Sequence, residues 1–81
     1  MIEIKQAASL AFKNKEAIQA TKVCSCFACV QTFETEEIKE WTDNHLTALC
    51  PNCRIDAVLP IKVDEGHLKK IREYWFSEKS L

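Results

Sequence analysis

Cys26-Phe27-Ala28-Cys29, then twenty residues, then Cys50-Pro51-Asn52-Cys53, is the passage that decides how this chain folds. Two residues between cysteines let both sulfurs reach one ion from a single tight turn. Two such turns supply four thiolates in a tetrahedron, which suits Zn2+. The insert between them has room for a strand, a short helix and a returning strand. The competing reading is a set of buried reduced thiols, which pack as small hydrophobes. The double spacing favours the metal. The same ligands accept iron, but closed structural sites of four cysteines are so often zinc that one Zn2+ is the first expectation. The expected metal ligands are Cys26, Cys29, Cys50 and Cys53.

Cys24 is the odd thiol. It could replace Cys26 as a ligand, but the four residues between Cys24 and Cys29 make a looser turn. The favoured reading is a spare thiol shielded beside the metal. There the net −2 of a zinc ion with four thiolates would raise its pKa and make it a poor nucleophile. The sharper alternative is a redox handle or a ligand that swaps in.

Outward from the cysteines, the composition is that of one small globular domain. The chain has 81 residues, 47% hydrophobic and 28% charged, with one Gly and two Pro. A core of this size often needs a staple. Its longest apolar run is far below the ~18 residues of a membrane span, and residues 1–5 show no signal-peptide pattern. Five cysteines without an export signal read as metal ligands in a reducing, cytoplasmic setting rather than as disulfides. The net charge of −1 is unevenly spread. Residues 1–23 carry four Lys against two Glu, and residues 60–81 carry five basic against four acidic side chains. Residues 24–59 carry Lys39 and Arg54 against six acidic residues.

The pattern predicts a small, metal-stabilised α+β fold: a zinc ribbon flanked by N- and C-terminal helices, all in one domain over 1–81. The first helix is expected over 3–21, with Ile4, Ala8, Ala11 and Ile18 near one face and Phe12 beside them. The ribbon is expected over 23–62. It would hold strands near 30–33, 46–49 and 55–61, the last ending or lying on an edge at Pro60. A short helix over 34–41, with Thr35 as a possible N-cap, would turn Ile38 and Trp41 inward. The last helix is expected over 64–79, capped by Asp64, with Leu68, Ile71 and Trp75 as its buried stripe.

No enzyme is expected. Four cysteines leave no position for a catalytic water. His45, in a polar turn, and His67, in the first turn of a helix, read as solvated surface residues. Asp43, Asn44 and His45 superficially suggest a nuclease site, yet no second histidine stands beside them. A single Gly provides no phosphate loop.

These residues carry a likeness. Phe12-Lys13-Asn14, Cys24-x-Cys26-Phe27-x-Cys29, Phe33, Glu37-Ile38-x-x-Trp41-x-Asp43 and Ala48-Leu49-Cys50-Pro51-x-Cys53-x-x-Asp56-x-Val58 resemble a family of small bacterial zinc-ribbon proteins. That family is usually labelled only "cytoplasmic protein". Tyr74-Trp75-Phe76 at the end of the last helix adds to the resemblance, which departs around 59–63, where the family tends to have a longer Gly-containing loop. The resemblance implies the four metal ligands and a cytoplasmic setting, and it implies no activity, substrate or partner.

The function expected is therefore a non-enzymatic protein–protein interaction or regulatory module with structural zinc, with a small inhibitor as one such possibility. Phe27, between two ligands, and the three consecutive aromatics of the last helix are its candidate contact residues. A nucleic-acid-binding ribbon is the alternative, with Lys13, Lys15, Lys22, Lys69 and Lys70 as a potential basic patch, although the acidic middle opposes it. A metal-dependent enzyme is the remote alternative.

Overall fold

In chain order, a computed structural model that describes residues 3–76 has ten short elements. A 3-10 turn (Ile4–Gln6) leads into helices α1 (Ala7–Leu10) and α2 (Lys15–Gln19). Strands β1 (Val23–Cys26) and β2 (Gln31–Glu34) follow, then a second 3-10 turn (Thr35–Glu37). Strands β3 (Trp41–Thr42), β4 (Thr47–Ala48) and β5 (Val58–Leu59) lead to the longest element, α3 (Glu65–Phe76). The result is a small α+β fold. No described helix is long and apolar enough to cross a membrane.

Strand β1 is central because its side chains are small. Cys24, Ser25 and Cys26 are all buried, which lets layers close on both sides of it. It pairs antiparallel with β2 (Cys24 opposite Phe33, Cys26 opposite Gln31) and with β5 (Ser25 opposite Leu59, Cys26 opposite Val58). The buried Ser25 hydroxyl accepts a 2.9 Å hydrogen bond from the Val63 N–H, so its polarity costs little. Strands β3 and β4 form a separate ribbon, Trp41 opposite Ala48. Ile18, Ile38, Val58, Leu59, Leu68 and Ile71 fill the core between these layers.

The expected first helix is broken in two. Lys13 adopts a left-handed φ of 47°, and the backbone there bonds to the rest of the fold instead of to its own helix. The Lys13 N–H donates to Thr47 Oγ1 at 2.8 Å. The Asn14 side chain donates to the Val58 carbonyl at 2.8 Å and accepts from the Ala48 N–H at 3.3 Å. Tertiary hydrogen bonds outweigh the helix propensity of the segment, and Phe12 is carried out to the surface.

The expected helix over 34–41 is also absent, replaced by the single 3-10 turn. Thr35 does not cap it, because its hydroxyl donates to the Thr21 carbonyl at 2.9 Å. The cap is Glu34, whose N–H reaches the Glu37 carboxylate at 3.0 Å. Ile38 then turns extended and buried, and Trp41 joins β3 half-buried. The strand expected near 30–33 begins one residue later, and those near 46–49 and 55–61 shorten to two residues each. Leu46 falls in an exposed turn, and Ile55 is exposed. Pro60 does follow an edge strand, since β5 pairs with β1 alone.

Helix α3 starts as expected. Asp64 Oδ2 accepts from the His67 N–H at 3.1 Å, and Leu68 and Ile71 are buried. Trp75 is not part of the buried stripe. It is well exposed, and its indole N–H donates to the Ile4 carbonyl at 2.8 Å, tying the end of α3 to the first turn of the chain. The expected helical residues 77–79 lie outside the described residues.

Candidate metal centre

The β1–β2 hairpin and the segment after β4 each contribute one cysteine turn. Cys26 closes β1, and Cys29 sits in the connection to β2. Cys50 follows β4, and Cys53 ends the turn over 51–53. The four sulfurs all lie within 4.8 Å of one another, and the group could hold a metal ion. Cys26 Sγ and Cys53 Sγ are 3.7 Å apart, as are Cys29 Sγ and Cys50 Sγ, so the short edges run between the two turns. These are not disulfides; all five cysteines are free. Four sulfurs each ~2.3 Å from one ion at tetrahedral angles would stand about 3.8 Å apart. The donor set therefore fits such an ion with almost no rearrangement of the short edges.

The backbone supports the sulfurs in the same way in both turns. The Ala28 N–H donates to Cys26 Sγ at 3.3 Å, and the Asn52 N–H donates to Cys50 Sγ at 3.3 Å. Each donor is two residues past the first cysteine of its pair. Asn52 adds its side-chain amide, 3.9 Å from Cys29 Sγ across the site. Such donors stabilise thiolate charge. The chain leaves each turn through a left-handed residue just after the second cysteine: Val30 at φ 57° and Arg54 at φ 62°. The Arg54 N–H then closes onto the Cys50 carbonyl at 2.8 Å.

Burial drives the Cys26 thiol well above its ordinary pKa and pushes Cys29 up to about 11. At Cys50 burial acts the same way, but it is outweighed. Backbone N–H groups of Cys53 and Asn52 and the thiols of Cys26 and Cys29 hydrogen-bond to the sulfur and lower its pKa.

Cys24 does not belong to the group of four. Its sulfur lies 3.4 Å from Thr35 Oγ1. The single proton of that hydroxyl is directed at Thr21 O, so the thiol must be the donor to Thr35. Burial raises the Cys24 pKa, and a bond that the thiol itself donates favours the protonated form as well. The expectation of a high-pKa spare thiol therefore meets a different cause: burial and a defined hydrogen bond.

The histidines do not join the cysteines. His45 is exposed at a left-handed position in the turn between β3 and β4, and His67 is half-buried in the first turn of α3. Asp43 Oδ2 accepts from Thr47 Oγ1 at 2.9 Å, so that carboxylate braces a turn. Phe27, expected as a contact residue, is turned inward instead. It is buried, with its ring 5.6 Å from that of Phe76. Asn14 and Asn52 are the polar side chains that sequence reasoning missed; only the position of Asn52 inside a cysteine turn could have marked it.

No protein-family model matches the chain, and no curated protein or solved structure matches it.

Proposed function

We propose that the chain is a non-enzymatic interaction or regulatory module: a cytoplasmic zinc ribbon with one structural Zn2+ held by Cys26, Cys29, Cys50 and Cys53. The observation that carries this reading is the closed set of four sulfurs within 4.8 Å. Four protein ligands complete a tetrahedron and leave no position for substrate. Iron would accept the same sulfurs, and the family likeness noted above favours zinc only by analogy. Five free cysteines suit a reducing compartment. Exposed aromatic residues near the end of α3 supply a surface for a protein partner.

Elemental analysis of protein purified without added metal should give one zinc per chain. Cys24→Ser should keep that stoichiometry, because Cys24 is hydrogen-bonded to Thr35 outside the group of four. Stoichiometric iron with a red-brown colour would change the metal and keep the ligands. Loss of metal in Cys24→Ser with retention in Cys26→Ser would overturn the ligand set. Affinity capture by the full metal-loaded chain, read by mass spectrometry, tests for a stoichiometric protein partner.

The nucleic-acid alternative predicts salt-sensitive binding that this surface does not favour. Glu34, Glu36, Glu37 and Glu40 are exposed close in sequence to the cysteine turns. Lys69 already faces Glu65 on its own helix at 3.4 Å. No binding to DNA or RNA is expected at ~150 mM salt; tight binding there that falls steeply with added salt would refute this.

A further inference from the structure

A groove of about 270 Å³ opens between the α1 segment and the end of α3. Ala11 and Ala57 line it beside Phe12, Phe27 and Phe76, and the charged group in its lining is Asp56. It is smaller than the ~300–1,000 Å³ of small-molecule sites, but it suits an inserted side chain. Around it, Phe12 is 55% exposed, Tyr74 52%, Trp75 40% and Phe76 42%. Tyr74 packs edge-on against Trp75, ring centres 5.0 Å apart, so these rings form one continuous patch. Together they leave about 400 Å² of aromatic surface in water, taking ~150–250 Å² per ring residue. Patches of ~300–600 Å² are the largest on typical monomers and are often functional.

Two charges of opposite sign flank this patch. The Lys13 ammonium lies 5.2 Å from the centre of the Phe12 ring, on the helical side. Asp56 lies on the side of the loop that leads into β5. Neither forms an ion pair among the described residues. A purely acidic or purely basic partner would answer only one of them. A copy of the same surface, turned about a two-fold axis, can answer both, because an isologous interface places residue i on j and j on i.

We propose that the partner is a second copy of this chain, docked through the aromatic groove. Each Phe12 inserts into the other copy's groove, and each Lys13 meets the other copy's Asp56. The proposal rests on the reading of the chain as an interaction module and names the partner that the module takes. Two patches of this size bury about 800 Å² in total, below the ~1,200–2,000 Å² of stable interfaces and in the range of weak, transient ones. The dimer is therefore a weak one, in rapid exchange with monomer.

Sedimentation equilibrium of the full metal-loaded chain, from about 5 to 500 µM, tests it. A monomer–dimer equilibrium is expected, and Phe12→Ser should raise the dissociation constant at least tenfold. Phe12 is exposed, so circular dichroism of that variant should match the parent. Lys13→Asp and Asp56→Lys should each weaken self-association. An equimolar mixture of those two variants should restore it, because every cross-pair then joins opposite charges. A parent chain that stays monomeric at 500 µM, or variants and mixture that dimerise like the parent, overturns the proposal. If the chain is monomeric yet captures a stoichiometric foreign protein, this inference fails and the interaction module stands. If it is monomeric and captures nothing, the module itself fails.

Discussion

Cys50→Ser is expected to abolish cooperative thermal unfolding, not merely to lower its midpoint. The reason is the balance between a thin core and a large metal contribution. Ordering each residue costs about 1–2 kcal/mol in backbone entropy. Against this the chain sets fewer large apolar side chains than its composition offers, since Phe12, Leu46, Ile55 and Trp75 remain exposed. A four-cysteine zinc site can contribute on the order of 10 kcal/mol in small domains. That is comparable to the ~5–15 kcal/mol net stability of typical proteins. Cys50 Sγ lies 3.7 Å from Cys29 Sγ and accepts the Asn52 N–H, so its replacement opens the group of four sulfurs. Strong chelation under reducing conditions should have the same effect. Helical circular dichroism is a poor readout, because α3 can persist in part. The near-ultraviolet signal of Trp41 and Trp75 reports fixed packing. If the metal-free protein keeps that signal and a sharp transition, the sulfurs are accessory to the fold.

The second large effect is expected at Asn14, far from the cysteines in sequence. Its buried amide joins three parts of the molecule. It sits just before α2, donates to the Val58 carbonyl on β5 and accepts from the Ala48 N–H on β4. Asn14→Ala leaves a buried donor and a buried acceptor without this partner, at about 1–3 kcal/mol each when unsatisfied. A loss of about 3 kcal/mol is expected for the metal-loaded protein. With ~4–8 °C per kcal/mol in a domain of this length, the midpoint should fall by roughly 15 °C. Metal stoichiometry should stay at the parent value, which separates this effect from that of Cys50→Ser. A midpoint shift under about 3 °C would show that the amide is replaceable by water.

The cysteine group was legible because its signal is local. Two residues between cysteines define a turn, whatever the rest of the chain does, and the two pairs meet as the spacing implies. The Asp64 cap and the Leu68–Ile71 stripe were legible for the same reason. The break in the first helix is not legible locally, because it is made elsewhere. Thr47, Ala48 and Val58 hold the backbone and side chain at Lys13 and Asn14, and nothing within 3–21 announces them. Periodicity likewise could not show that Trp75 would spend its N–H on Ile4 and keep its ring outside. Phe27 turned inward because Phe76, about fifty residues on, meets its ring.

Lys13, Val30, Asp43, Asn44, His45 and Arg54 all occupy left-handed backbone positions, while the chain's sole glycine, Gly66, lies within α3. A side chain in that region costs roughly 1–2 kcal/mol, less for Asn and Asp, and Val30 is β-branched besides. Turns of this kind are where a lineage holds mutational headroom. An exchange toward glycine or asparagine at the exposed Arg54 is an open route to a more robust descendant and leaves all four sulfur donors in place, whereas Val30 also packs against the core. One such exchange offsets roughly 1 kcal/mol of loss elsewhere in the fold.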